Sequence, residues 1–388
     1  MTHNLPLPPF DLTAHMLTFT AEALTPIEMG AFKGSALRGA WKAYLQTAYC
    51  AAPLSTRQDP LHQQTCPVCY LTEYESGHES RRPYAFRPPL DRRPRYSPGE
   101  RFTFGITLLG NAMVLLPYVL LAVREMGENN GIGRRGESDR RRGRFRLVEV
   151  RAVHPFRREA ETILAEGSTN VHVPTLGITA ADIAAEADRL TPALQSGGSL
   201  RLRFLTPLRM VYRPPNTDRS RLMRRFDLAV FIQRLTERLF SLAATHSRQP
   251  DTYTRSALRQ AIHALRPLAA EATLHHDATR WWDVVGYSSR IGRTQPLGGL
   301  VGEITLSGTA LATLLPLLLW GEVTQAGKNV VKGEGVYEVG ESAGQRASGS
   351  AGQRTGGRAD ERTSESADGR TGGRADKRTS GRCKRRAP

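Results

Sequence analysis

Strand and helix signals alternate in two successive runs, both halves are basic, and a glycine-rich loop closes the second run. These observations predict an α+β protein: two tandem ferredoxin-like (RRM-like) domains, a C-terminal glycine-rich loop and a disordered basic tail. The chain has 388 residues, enough for two domains of ordinary size. The first run opens with an extended segment, His15 to Thr20, followed by a helix over Phe32 to Tyr49. Leu37, Trp41 and Tyr44 or Leu45 give that helix its apolar stripe. A cysteine-bearing insertion (about 50–80) comes next. Phe102, Phe104 and Ile106 alternate with polar or small residues, predicting a strand over Arg101 to Leu108. Asn111 is placed to cap a helix running to Met126. A glycine- and arginine-rich loop (127–144) leads to a strand from Phe145 to Val153. The order is close to β-α-β-β-α-β.

The second run has a strand over Leu200 to Leu208, helices over Met223 to His246 and Tyr253 to Leu268, and a strand over Leu297 to Leu306. Gly298 and Gly299 point to a bulge or a close backbone approach there. An apolar helix, Leu311 to Trp320, a glycine loop and a last strand around Val336, Tyr337 and Val339 complete it. The predicted divisions are 1–165, a linker over 166–198, 199–340 and a tail over 341–388. The tail repeats itself: SAGQR at Ser342 and Ser350, and TGGRAD at Thr355 and Thr371. It has no large apolar residue and cannot bury a core, so disorder is expected.

Lys and Arg total 54 against 37 Asp and Glu, a formal net charge of +17. Only 12 of the basic residues follow Gly340, so the ordered part is basic by itself. A polyanionic partner and salt-sensitive association are expected. Met1 to Phe10 is polar and proline-rich, unlike a signal peptide. Asn111 and Pro117 interrupt the longest apolar stretch, Ile106 to Val123, so no membrane span is expected. Four cysteines in so long a chain do not make a disulfide scaffold. A reducing cytoplasm is the expected location.

The loop GEVTQAGKNVVKGEGVYEV, Gly321 to Val339, carries Gly321, Gly327, Gly333 and Gly335 with Lys328 and Lys332. Glycine leaves backbone N–H groups open to an anion, and lysine adds a mobile charge. It is not a nucleotide-binding P-loop. Asn329 follows Gly327-Lys328 where Ser or Thr is needed, and the order is helix, loop, strand. No nucleotide cofactor is expected. The other basic loop contributes Arg134, Arg135, Arg140, Arg141, Arg142 and Arg144, whose forks suit phosphates and exposed bases. Tyr287, Ser288, Ser289 and Arg290 form a polar cluster able to touch RNA or to close a turn.

Cys66 and Cys69 form a C-x-x-C knuckle with zinc-ligand spacing. Cys50 supplies a third thiolate, and His62 or His78 the fourth ligand, of a structural zinc. For chemistry, RNA can be cut by its own 2′-hydroxyl if a protein moves two protons and stabilises the phosphorane. His246, ending a long helix, and His15, on the first strand, are the foremost histidines for that work.

Taken together, these segments resemble the CRISPR repeat-RNA processing endoribonucleases of the RAMP superfamily, of the type III-associated kind. The matching pieces are GSALRGAWKAYL (Gly34 to Leu45), the cysteine knuckle, YSPGERFTFGITLLGNA (Tyr96 to Ala112) and RRGRF (Arg141 to Phe145). LRFLTPLRM (Leu202 to Met210), YSSRIGRTQPLGGLVGEI (Tyr287 to Ile304) and the glycine loop follow in order. The resemblance implies a ribonuclease that uses no catalytic metal. Such enzymes cut the precursor transcript inside each repeat, leave a 5′-hydroxyl and a 2′,3′-cyclic phosphate, and serve a type III effector complex. It implies RNA contacts for Arg38, the arginines of the 127–144 loop, Arg290 and the glycine loop. Relatives often carry a histidine in or after the first long helix. This chain has none between His15 and His62, and Lys42 and Tyr44 occupy that helix. Gln325 stands where relatives commonly have histidine. Lys42, Tyr44 and Lys328 are therefore expected to take over proton transfer in part, at a slower rate.

Overall fold

The computed structural model describes residues 7–342 apart from 74, 77, 78, 81, 138, 139, 215 and 289–291. The expectations for the tail beyond 342, His78, Ser289 and Arg290 fall outside these residues.

Among the described residues, nine α-helices and the ten strands of the two main sheets organise the fold: β1 Ala14–Ala23, α1 Gly34–Tyr49, α2 Leu54–Arg57, α3 Pro60–Thr65, α4 Pro67–Thr72, β2 Tyr84–Arg87, β3 Arg101–Leu109, α5 Leu116–Glu125, β4 Phe145–His154, β5 Glu159–Leu164, α6 Ala180–Gln195, β6 Ser199–Leu208, α7 Leu228–His246, α8 Arg255–Glu271, β7 Thr273–Asp277, β8 Arg280–Trp282, β9 Gly299–Ser307, α9 Leu311–Thr324 and β10 Tyr337–Glu341. Shorter strand pairs decorate the loops.

The first sheet has the order β5-β4-β1-β3-β2, antiparallel throughout. Set β5 aside and the order is fourth, first, third, second, as in a ferredoxin-like sheet. β2 is the strand the sequence pattern did not show. Its four residues are too short to display a period, and Tyr84, Ala85 and Phe86 are all buried. α1 buries Leu37, Trp41 and Leu45 at four-residue spacing. Trp41 lies 5.0 Å from the Tyr84 ring and 5.5 Å from that of Phe86, which fixes α1 over β2.

The second sheet has the order β7-β9-β6-β10, with β8 also on β9. The same sequence of first, third and second strands recurs, with α7 and α8 together in the first helical crossover. The β6–β9 register shifts between Phe204 and Leu208, opposite Leu300 to Gly302 and just beyond the Gly298-Gly299 pair. A Cβ on Gly299 would sit 2.6 Å from the Leu208 carbonyl, so the expected close approach is present.

Four boundaries differ from the sequence expectation. Asn111 does not cap α5: a 3-10 turn over Gly110–Leu115 precedes the helix, and Leu115 is its cap position. Region 166–198 is more than a linker, because α6 lies within it and packs on α9. The Asp182 carboxylate accepts from the Thr179 backbone N–H and fastens the start of α6. α9 runs on to Thr324, so Gly321 is a buried helical residue rather than the first residue of the loop. Its missing side chain admits the Tyr337 hydroxyl, which donates to the Leu318 carbonyl. The basic 127–144 segment is partly ordered, with two short paired strands, Ile132–Arg135 and Arg142–Gly143.

Two apolar clusters fill the molecule. Leu17, Phe19 and Ala21 of β1 join α1, α5 and β2–β4 in one. Ala14 and Met16 of the same strand join α6–α9 and the second sheet in the other. Both sheets belong to one compact unit, Met1–Arg346. No helix among the described residues is long and apolar enough to cross a membrane.

Candidate RNA-processing site

α1 turns its polar face to the insertion. Arg38 and Lys42, one helical turn apart, share that face. Arg38 Nε donates to the Tyr84 hydroxyl at 3.2 Å. Lys42 forms an ion pair with Glu73, at the C-terminal end of α4. Burial lowers the Lys42 amine, the Arg38 charge lowers it further, and Glu73 opposes both, leaving it at about 8. Glu73 itself is held below the usual carboxylate range: burial raises it, but the Lys42 ammonium, the Arg82 charge and the Gln46 hydrogen bond together outweigh burial. Tyr44 moves the other way. Burial and the neighbouring Tyr49 push its phenol up to about 12, so phenolate is scarce near neutral pH.

His246 occupies the last turn of α7, with only 6% of its surface exposed. Its Nδ1 shares a 3.1 Å hydrogen bond with the Tyr70 hydroxyl, and the two rings meet edge to face. Tyr70 lies on α4, three residues before Glu73. One short helix therefore touches both Lys42 and His246. His15 is engaged elsewhere: its Nδ1 bonds the Leu176 carbonyl at 3.1 Å, and burial lowers its pKa.

The glycine loop docks on the first sheet. Gly34, at the start of α1, has no room for a Cβ because the Lys332 carbonyl lies against it. Gln325 is fully buried at φ +63 and donates through Nε2 to the Phe86 carbonyl at 2.7 Å. Val331 enters the first core cluster. Gly335 has φ +74, and a Cβ there would collide with the Ala326 carbonyl, so only glycine fits. The N–H groups of Gly333 and Gly335 donate to the Val330 and Pro207 carbonyls. The expectation that the glycines leave N–H groups open to phosphate is thus corrected at these two. They are spent on folding the loop tightly. The loop still carries the Lys328 side chain to the surface, while its N–H holds the Arg209 carbonyl at 2.8 Å. Lys332 is half-buried, and Gly327 takes φ +87. Glu334 is fully buried without a hydrogen bond to either carboxylate oxygen, and burial pushes it up to about 8.

The arginine hairpin lines a cavity of about 300 Å³ with Asn129, Asn130, Arg135, Arg140, Arg141, Arg142 and Arg144. Arg142 Nη1 donates to the Gly133 carbonyl at 2.6 Å, and Arg134 is ion-paired to Glu28 at 2.9 Å. Arg134 therefore does not join the others. Excess positive charge in one concave place suits an anionic strand.

Cys50, His62, Cys66 and Cys69 bring their ligand atoms within 4.8 Å of one another. Among the described residues, His62 is the histidine that lies beside the three cysteines. The three cysteines are free thiols. The residues that the sequence did not single out are Tyr70, Glu73 and Tyr84. No motif marks them: the fold of the insertion brings Tyr70 to α7 and Glu73 to α1, and β2 brings Tyr84 to Arg38.

Fold and loops together define a protein with tandem ferredoxin-like sheets and clustered basic side chains. Residues 202–337 match the family model of the CRISPR-associated endoribonuclease Cas6, and residues 12–176 match a model described as an N-terminal domain. The C-terminal half of the chain is thus similar to the Cas6 endoribonuclease family over 202–337. No curated protein matches it in sequence. Among solved structures it resembles a partial Cas6-RT-Cas1–Cas2 complex at 13% identity and a TM-score of 0.50, over 87% of this chain and 47% of that one. It also resembles a Cas6 product complex (18% identity, TM-score 0.46, 84% of this chain and 99% of that one). Cas6 of Thermus thermophilus follows at 14% identity and a TM-score of 0.44, over 84% and 98%. At such identities the first of these likenesses supports the fold.

Proposed function

We propose that this protein cleaves precursor CRISPR RNA within its repeats by 2′-hydroxyl attack, without a catalytic metal, leaving 5′-hydroxyl and 2′,3′-cyclic phosphate ends. The observation that carries the reading is Lys42, an amine brought to about 8 beside Arg38 on the helix face that meets the insertion. A group with its pKa near the working pH moves a proton efficiently. Lys42, largely protonated at neutral pH, donates to the departing 5′-oxygen. Arg38 faces the charge that develops on the phosphorane. His246, oriented by Tyr70, takes the 2′-hydroxyl proton. Tyr44 and His15 receive no proton-transfer role, given the raised phenol of one and the Leu176 bond of the other. The arginine cavity and Lys328 hold the RNA backbone, and Arg290 extends that contact. The sheets act as an N-terminal (1–165) and a C-terminal (199–340) domain in the cytoplasm, and the mature guide passes to a type III effector complex. The cysteine cluster holds a structural zinc that takes no direct part in bond cleavage.

The test is incubation with repeat RNA in excess EDTA, with zinc content measured in the same sample. One cut per repeat with a cyclic phosphate end is expected. Tight binding of intact RNA by zinc-replete protein would instead make the chain a non-catalytic RNA-binding subunit.

A further inference from the structure

The insertion between α1 and β2 buries no apolar side chain from α2 or α3, while its α4 supplies Val68, Cys69 and Leu71 to the core. Its helices have four, six and six residues. Helices below about 12 residues are marginal on their own. Leu54 and Leu61 face outward, 54% and 66% exposed. Segments this small usually need a cross-link or a metal. Yet α4 is the element that carries Tyr70 to His246 and Glu73 to Lys42.

The cluster at the base of α4 has metal-site geometry. Cys50 ends α1, His62 lies on α3, and Cys66 and Cys69 flank the first turn of α4. Cys50 Sγ is 3.6 Å from Cys69 Sγ and 3.4 Å from His62 Nε2. A tetrahedral zinc, about 2.3 Å from sulfur and about 2.0 Å from nitrogen, would place sulfurs about 3.8 Å apart and sulfur and nitrogen about 3.5 Å apart. Three thiols and one imidazole form a closed Cys₃His set. Cys50 and Cys69 are buried, and His62 and Cys66 half-buried. The Cys50 carbonyl accepts from Arg57 at 3.2 Å, which ties the ligand loop to its own backbone.

We propose that Cys50, His62, Cys66 and Cys69 bind one zinc ion, and that this zinc holds α4 so that Tyr70 meets His246 and Glu73 meets Lys42. Binding releases the thiol protons to solvent and closes four ligands around the ion. Zinc then joins α1, α3 and α4, doing what a core does in a larger segment. Tyr70 is a positioning residue, acting through His246. The catalytic half of this proposal rests on the function proposed above; the metal half does not.

The test begins with full-length protein, desalted in a mild chelator, and its zinc content. One zinc per chain is expected, with cobalt exchange giving the strong visible absorption of tetrahedral thiolate ligation. Cys66→Ala and His62→Ala should lose the ion. Hydrogen exchange over residues 66–73 should speed up in the variants, and also in wild-type protein stripped of metal, and should recover when zinc is returned. That reversal separates loss of the staple from failure to fold. In single-turnover assays, zinc-free protein and zinc-replete Tyr70→Phe should both cleave about tenfold or more slowly, with RNA affinity retained. Absence of zinc and cobalt binding overturns the site. Bound zinc with unchanged exchange on stripping overturns the staple. Unimpaired cleavage by zinc-free protein overturns the positioning role. If wild-type protein cuts no RNA, the positioning role falls with the proposed function, while zinc content and exchange still decide the staple.

Discussion

In the proposed mechanism, Lys42 is the residue on which the chemistry turns. An ordinary lysine is a poor proton donor at neutral pH because it holds its proton too tightly. Burial and Arg38 bring this one to about 8, and Glu73 keeps it from falling further. Lys42→Met should lower the cleavage rate about 100-fold or more while RNA affinity stays within a few-fold, measured under single turnover. If Lys42 is the acid, the wild-type rate falls as pH rises through about 8. A rate indifferent to the substitution would remove Lys42 from the mechanism. Lys328 answers a different question. It is exposed at the tip of the docked loop. Lys328→Ala should weaken RNA binding and reduce the salt slope by about 0.7 for one phosphate contact. An unchanged slope argues against a phosphate there. Glu334 bears on stability. Its folded pKa, about 8, lies above the ordinary 4.5, so the protonated form favours the fold. Its contribution is fully present below 4.5 and lost as pH rises through about 8. Glu322, raised to about 7 by burial, acts in the same sense. Glu334→Gln should gain in melting temperature over wild type progressively from pH 5 to 8.5; parallel curves would contradict the burial argument.

Among the elements, the glycine loop is one that joins the two sheets. Gly335→Ala must adopt a left-handed backbone, a cost of about 1–2 kcal/mol before any clash. The added methyl also meets the Ala326 carbonyl. A drop of several degrees in melting temperature is expected, with weakened RNA binding. The exposed Gly30, whose Cβ direction is open, should accept alanine with little change. Equal tolerance at both positions would mean the loop is not held as described. This loop shows how far the sequence could be read. Its place between an apolar helix and a last strand was legible from glycine spacing and the Leu311–Trp320 run. The use of its N–H groups was not, because their partners, Val330 and Pro207 among them, are set by the folded loop. α1 was legible because Leu37, Trp41 and Leu45 recur at one helical turn. β2 was not, since four buried residues without alternation carry no period. Tyr70 escaped notice for a related reason: its partner His246 lies 176 positions away, and no local pattern announces such a pair.

At the scale of the whole molecule, charge and topology agree. Two ferredoxin-like sheets present a basic surface, and the net charge of +17 exceeds what the tail contributes. Deleting residues 343–388 should therefore leave repeat cleavage intact and reduce the salt slope of binding only in part. Loss of specific cleavage on that deletion would shift the RNA site into the tail. The central claim is that this scaffold performs RNA cleavage itself, with Lys42 and His246 moving protons. The measurement that tests it most directly is single-turnover incubation of zinc-replete protein with its own repeat RNA in EDTA, with the product termini identified. One cut per repeat, ending in a 2′,3′-cyclic phosphate and a 5′-hydroxyl and slowed by Lys42→Met, is the predicted result. Repeat RNA that is bound tightly yet stays intact, or is cut only when magnesium is supplied, would contradict it.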